Sequence, residues 1–249
     1  MKNKLVSINN LNKKYTNDFE EINVLNNINL DIFEGEIVSI VGTSGCGKST
    51  LLNIIARIET PSSGNIIYNS NTENNIGYMM QDSALFPWLN IEKNANLALK
   101  IKKKSSSEYV SSLLKEYGLY SFKNKYPKDL SGGMKQRVSL IRTIALKPKL
   151  LLLDEPFSQL DYQSRLSISS DVYKLVKTNN ISVILITHDI EEAISLSDRI
   201  IVLSNRPASI KNIYEINFDK NMVPIDRRKN SSFINYFENI GKDLEIFEK

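Results

Sequence analysis

Gly42-Thr43-Ser44-Gly45-Cys46-Gly47-Lys48-Ser49-Thr50 is the stretch on which the reading of this chain turns. It fits the pattern G-x-x-x-x-G-K-[ST], and its flanks suit that pattern. Before it, Ile37-Val38-Ser39-Ile40-Val41 is short, apolar and rich in branched residues, as a buried parallel strand is. After it, Leu51, Leu52, Ile54, Ile55 and Ile58 recur at helical spacing. Strand, glycine loop and helix in that order aim backbone N–H groups and a helix N-terminus at an anion. In such an arrangement Lys48 reaches the β and γ phosphates as a point charge, and the Ser49 hydroxyl sits on Mg²⁺. A glycine-rich turn that matches by chance is the alternative, and the strand and helix on either side weigh against it.

The composition narrows the choices. With 249 residues, 41% of them hydrophobic, the chain can bury a large core, which excludes a disordered protein. Apolar runs such as Ile181 to Ile186 fall far short of the roughly 18 residues that a membrane span needs. Met1-Lys2-Asn3-Lys4-Leu5 carries no long apolar segment, so no secretory leader is expected. One cysteine forms no internal disulfide, which suits a reducing compartment. The net charge of +4 is mild. Neither Lys102-Lys103-Lys104 nor Arg227-Arg228-Lys229 is interleaved with aromatics, so both read as solvated surface and nucleic acid is not an expected partner.

Along the chain, Leu5 to Ile8, Ile28 to Ile32 and Ile66 to Tyr68 read as strands of an antiparallel part. From Asp82 to Leu146 the period becomes helical, with Val110, Leu113, Leu114 and Tyr117 on one face. Parallel-type strands return at Leu150 to Leu153, Ile181 to Ile186 and Arg199 to Leu203, with helical segments between them. The pattern predicts an α/β fold: a three-layer phosphate-loop core, an antiparallel β subdomain and an inserted helical subdomain. Residues 1–220 form the nucleotide-binding domain, with the helical subdomain at about 82–147. Residues 221–249 form a tail whose Phe233, Ile234, Phe237 and Ile240 predict a peripheral amphipathic helix.

Two further segments carry chemistry. Leu150-Leu151-Leu152-Leu153-Asp154-Glu155 is an apolar strand ending in two acids, at the strand end where open α/β sheets bind ligands. There Asp154 holds Mg²⁺, and Glu155 polarises a water for attack on the γ phosphate. In Leu130-Ser131-Gly132-Gly133-Met134-Lys135-Gln136, Ser131 is a good N-cap and the two glycines leave N–H groups open to an anion. An ordinary capped helix explains that segment equally well.

These residues, in this order, resemble the ATPase subunit of an ATP-binding cassette (ABC) transporter over nearly the whole chain. The order runs Gly42 to Thr50, Gln81, Leu130 to Gln136, Asp154-Glu155, Ser158-Gln159-Leu160-Asp161, His188. The resemblance implies ATP and Mg²⁺ as cofactors. It implies a catalytic set of Glu155, His188 as γ-phosphate switch, Gln81 as sensor of Mg²⁺ and the attacking water, and Lys48. Metal contacts would be Ser49, Gln81 and Asp154. Tyr15 resembles the aromatic on which adenine stacks, with Phe19 as a competitor. Ser131, Gly132 and Gly133 of one subunit, with Asp161, would cover ATP held by Gly42 to Thr50 of a second. Departures are Ser139 and Ile141 in place of small residues, Gln159 in place of alanine, and Asn69-Ser70-Asn71 where a glycine turn is usual.

Leu85-Phe86-Pro87-Trp88-Leu89, Thr187 to Ala193, Leu203 to Pro207 and Asp226-Arg227-Arg228 are similar to importers of nitrate, sulfonate, taurine and thiamine precursors. Trp88 reads either as subdomain core or as part of a groove for a short helix of a membrane subunit. The implied partners are a second copy of the chain, integral membrane permease subunits and, indirectly, an extracellular solute-binding protein. The implied location is the cytoplasmic face of the membrane. The competing reading is a soluble ABC ATPase acting on a ribosome or DNA. Against it stand the lack of a second cassette and of long coiled coils.

Overall fold

The computed structural model describes residues 3–16, 20–69, 72–104, 107–219 and 222–245. Phe19, Ser70 and Asn71, named above, lie outside the described residues, as do Met1-Lys2 and parts of the tail segment. In chain order the elements begin with β1 (Lys4–Thr16), β2 (Glu21–Phe33), β3 (Ile37–Val41), α1 (Lys48–Ile55), β4 (Ser63–Tyr68) and β5 (Ile76–Met79). The helical stretch brings α2 (Ile91–Ile101), α3 (Ser107–Glu116) and α4 (Gly132–Ile144). Then come β6 (Leu150–Asp154), α5 (Tyr162–Thr178), β7 (Ser182–Ile186), α6 (Ile190–Leu196), β8 (Arg199–Leu203) and β9 (Ile210–Glu215). The chain closes with α7 (Pro224–Arg227) and α8 (Ser232–Asp243).

Six strands make the central sheet in the order β5-β6-β7-β3-β8-β9, parallel except for the β8–β9 pair. Its middle strands are buried on both faces, which is why β3, β6 and β7 are nearly continuous apolar runs. The two-residue period divides them between two cores. Leu150, Leu152, Ile184 and Ile186 join Leu51, Leu52 and Ile55 of α1 and the apolar residues of β1 and β2. Leu151, Leu153, Val183 and Leu185 face the other way, into the core shared with α2, α3, α4 and α5. The second sheet, β2-β1-β4, is antiparallel, so the molecule is a layered α/β fold with a separate antiparallel sheet, as expected.

Several expectations need adjusting. Helix α1 stops at Ile55, and Ile58, expected on its apolar face, is exposed beyond a left-handed Arg57. Both N-terminal strands run much longer than their apolar stretches, because backbone pairing continues through Asn9 to Tyr15. In α8, Phe233 and Ile240 are buried against Ala193 and Ile194 of α6, but Ile234 is exposed.

The charge run Arg227-Arg228-Lys229 is not all solvated surface. Arg227 is buried, donates from Nη1 to the carbonyls of Ser195 (3.3 Å) and Ser197 (3.1 Å), and donates from Nη2 to the Tyr173 hydroxyl (2.9 Å). Three neutral acceptors, on α5 and at the end of α6, thus hold the start of the tail in place.

Candidate functional site

The carboxyl ends of four neighbouring parallel strands lie side by side, in the order β5, β6, β7, β3. Beyond them come Gln81, Asp154-Glu155, His188 and the Gly42 to Thr50 loop, so residues more than a hundred positions apart meet along one edge. An open cleft of about 690 Å³ runs there, lined by Tyr15, Ile22, Val24, Ser44, Gly45, Gly47, Lys48, Ser49, Thr50, Glu155, His188 and Arg206.

Two glycines shape the loop. Gly45 and Gly47 have φ of 72° and 124°, and a Cβ on Gly47 would lie 2.9 Å from Val24 Cγ1, so only glycine fits there. Lys48 is buried, and its Nζ donates back to the carbonyls of Gly42 and Thr43, each at 2.9 Å. That closes the loop around an ammonium at the N-terminus of α1, where the helix dipole already favours an anion. Thr43 Oγ1 donates to Asn205 Oδ1 at 2.7 Å and so ties the loop to the segment after β8. Cys46 supplies backbone only, since its side chain is buried in the core beside α1.

Asp154 ends β6 half-buried, with Oδ1 accepting from Ser49 Oγ at 3.2 Å and Oδ2 accepting from the Tyr78 hydroxyl at 3.4 Å. Burial pushes its carboxyl up from the usual range; donation by Ser49 opposes this, while the Glu155 charge adds to it. A carboxylate and a hydroxyl converging beside a phosphate loop are the oxygen donors that Mg²⁺ takes, with phosphate and water completing its shell. Two protein ligands suffice, so the residues fit the ion.

Glu155 follows at φ 44°, a left-handed conformation that costs a non-glycine residue roughly 1–2 kcal/mol. It is held there by its N–H on the Ile186 carbonyl (2.9 Å) and by Ser158 Oγ on its own carbonyl (3.0 Å). The strained turn aims the side chain at His188, whose Nδ1 stands 3.1 Å from Glu155 Oε2. An ionised carboxylate only accepts, so this contact puts the ring proton on Nδ1.

Tyr15 is partly exposed at the cleft wall, its hydroxyl on Glu59 and the Lys13 ammonium 4.7 Å from its ring centroid. One ring face is therefore taken by a cation, and the cleft lies beside Ile22 and Val24.

Not every expected residue reaches the cleft. Gln81 sits just past β5, its Nε2 3.4 Å from Ser158 Oγ and its carbonyl accepting from Gln136 Nε2 at 3.1 Å. Ser131 caps α4 by accepting from the Met134 N–H at 3.3 Å, and Ser131 and Gly132 are exposed. Asp161 is exposed and caps α5 through the Ser164 N–H at 3.0 Å, which with the Ser164 hydroxyl holds its carboxyl below the usual range. None of Ser131, Gly132, Gly133 and Asp161 lines the cleft of this one chain. Tyr78, Ser158 and Arg206 join the site without having been named as site residues. Ser158 stood in the Ser158 to Asp161 motif and Arg206 in the Leu203 to Pro207 wording, and Tyr78 carried no signal.

Under His188, the Asp189 side chain caps α6, and Thr187 Oγ1 donates to buried Glu192 Oε2 at 2.8 Å. Burial pushes the Glu192 carboxyl from its ordinary value of 4.5 up to about 8; the Thr187 bond opposes this, the Asp189 charge adds to it, and Arg165 and Arg228 oppose it. The folded chain keeps a proton there that the unfolded chain has released. Stability is therefore lost as pH rises from about 4.5 to about 8. Glu192→Gln keeps the Thr187 acceptor and removes the titration. Its melting temperature should gain on the wild type by about 10 °C between those pH limits. A pH-independent difference would rule Glu192 out as the titrating group.

A profile of the family described as ABC transporter matches residues 25–158. The chain is 38% identical to an aliphatic sulfonates import ATP-binding protein SsuB of Bacillus cereus, over 98% of this chain and 96% of that protein. It is 39% identical to the nitrate import ATP-binding protein NrtD of Synechocystis sp. (strain ATCC 27184 / PCC 6803 / Kazusa), over 85% and 82% of the two chains. Its fold superposes on the dimeric post-hydrolysis structure of the ATP-binding cassette MJ0796 bound to ADP and Pi. The TM-score is 0.75 at 31% identity, over 86% of this chain and all of that one. On its sequence and on its fold alike, the chain belongs to the ABC transporter family, as an ATP-binding, ATP-hydrolysing subunit of the importer kind.

Proposed function

We propose that two copies of this chain sandwich two ATP molecules and drive the import of a small oxyanion, a sulfonate or nitrate, through membrane permease subunits. The observation that carries the reading is the row of strand ends. It sets the phosphate loop, Glu155 and His188 along one cleft, with Asp154 bonded to Ser49 of that loop, while leaving Ser131, Gly132, Gly133 and Asp161 outside it. A half-site on each copy and a matching lid on the other is the arrangement that geometry supports.

In this scheme Lys48 and the loop N–H groups hold the phosphates, and Tyr15 offers its free face to adenine. Ser49 and Asp154 would hold Mg²⁺, with Gln81 brought to the same centre on closure, and bound there the ion would supply neutralisation of phosphate charge. Glu155 accepts a proton from the water that attacks the γ phosphate, and the P–O bond to ADP breaks to release inorganic phosphate. His188 fixes the Glu155 carboxylate through the 3.1 Å contact and contributes to γ-phosphate recognition. The second copy's Ser131 to Gly133 segment would add donors that need no rearrangement at the moment of reaction. Loss of the γ phosphate then reopens the pair.

The permease contact is proposed at the Gln81 to Leu89 segment. Trp88 is 70% exposed, its ring centroid 5.1 Å from that of Phe86, so it is no core residue of the helical subdomain. An exposed aromatic pair suits the apolar face of a short helix. Among the described residues no helix is long and apolar enough to cross a membrane. The proposed place of the chain is the cytoplasmic face, against the permease subunits. A solute-binding protein on the far side would supply the cargo.

Reconstitution tests this reading. Vesicles carrying the permease subunits that co-purify with this chain should accumulate taurine or nitrate only when ATP is supplied on the chain's side. ATP turnover with uptake of neither anion would refute the proposed cargo class.

A further inference from the structure

Arg206 stands at the mouth of the cleft on the turn after β8. Its guanidinium Nη2 lies 3.6 Å from the point where a side chain on Gly45 would begin. Beside it, the residues of the turn are firmly held. Asn205 Oδ1 accepts from Thr43 Oγ1 of the phosphate loop at 2.7 Å. Ala208, fully buried, donates to the Val24 carbonyl and accepts from the Asn26 N–H, both at 2.8 Å. Ser204 and Ser209 close the turn with the Ser204 N–H on the Ser209 carbonyl and the Ser209 N–H on Ser204 Oγ, each at 2.9 Å.

The Arg206 side chain, by contrast, has no ion pair and no hydrogen bond among the described residues. A guanidinium keeps its charge at any pH the protein meets, and its planar fork of donors matches phosphate oxygens two at a time. The neighbouring cation, Lys48, already uses two donors on the carbonyls of Gly42 and Thr43. A fixed turn bonded to the phosphate loop thus carries an unpaired cation to the rim of that loop.

We propose that Arg206 is a second phosphate-binding cation of this site, engaging the phosphate tail of the bound nucleotide from beside Gly45. The proposal rests on the ATP reading above. The guanidinium acts on binding, and it takes no proton in hydrolysis.

The test measures nucleotide affinity without turnover, by titrating full-length protein with ATP and with inorganic tripolyphosphate in EDTA. Wild type, Arg206→Gln, Arg206→Lys and Lys48→Ala are compared, with melting curves confirming that each is folded. Arg206→Gln should weaken both ligands about tenfold and flatten the salt dependence, and Arg206→Lys should recover part of the loss. Affinity of Arg206→Gln within about twofold of wild type overturns the proposal. So does a lysine variant no tighter than the glutamine one, because the charge would then not be the cause. Unchanged affinity with lost pairing of two copies also overturns it, placing the guanidinium against the second chain. In each of these cases ATP binding by wild type and its loss in Lys48→Ala leave the ATP reading standing. A wild type that binds no nucleotide would refute both.

Discussion

Replacing Glu155 by Gln should lower steady-state ATP hydrolysis by about 10²–10⁴-fold while ATP still binds. The substitution keeps the size of the side chain, and the amide oxygen still accepts from His188 Nδ1, where the contact is 3.1 Å. The strained backbone at φ 44° is set by hydrogen bonds of the main chain, which the change does not touch. What disappears is the carboxylate that takes the proton of the attacking water. Single-turnover phosphate release, measured beside nucleotide affinity, separates the two effects. A variant that hydrolyses at close to the wild-type rate would move the base to another residue, and one that no longer binds ATP would make Glu155 part of the binding surface instead.

Lys48→Ala should weaken ATP binding about 100-fold, the largest loss expected from any single change in the loop. The lysine is buried between the loop and α1, so its ammonium meets the phosphates with little water to screen it. Its absence also leaves the carbonyls of Gly42 and Thr43 without the donor that draws the loop closed. The core beneath is untouched, because Leu51, Leu52 and Ile55 carry the packing of α1. The variant should therefore melt close to the wild type while calorimetry detects little ATP binding. A large fall in melting temperature would mean that the lysine holds the fold rather than the nucleotide.

The strands that end at the site were legible because burial on both faces writes itself as an unbroken apolar run, as in Leu150 to Leu153 and Ile37 to Val41. The edge strand β9 was not, since Ile210–Glu215 is half exposed and mixes Lys211 and Asn212 with its apolar residues. Only pairing with β8 makes it a strand. For the same reason β1 and β2 were read short, as Asn and Lys occupy much of their length.

Within the site, Lys48, Ser49, Asp154 and Glu155 carry local signals, a glycine loop and an acid-ended strand. Arg206 carries none of comparable strength, since the sheet order alone sets β8 beside β3 and brings its turn to Gly45. Arg227 shows the converse. A basic run looks solvated in sequence, and the carbonyls of Ser195 and Ser197 that bury it lie some thirty residues away. Ser131 and Asp161 act here as helix caps, and a role on nucleotide needs a surface that one chain does not possess.

The molar mass of Glu155→Gln protein in solution, followed by light scattering as ATP is added without magnesium, tests the central claim most directly. The account predicts a rise from 28.3 kDa to twice that value with ATP, and no rise with ADP. A mass that stays at 28.3 kDa at saturating ATP, with the permease subunits supplied as well, would contradict it.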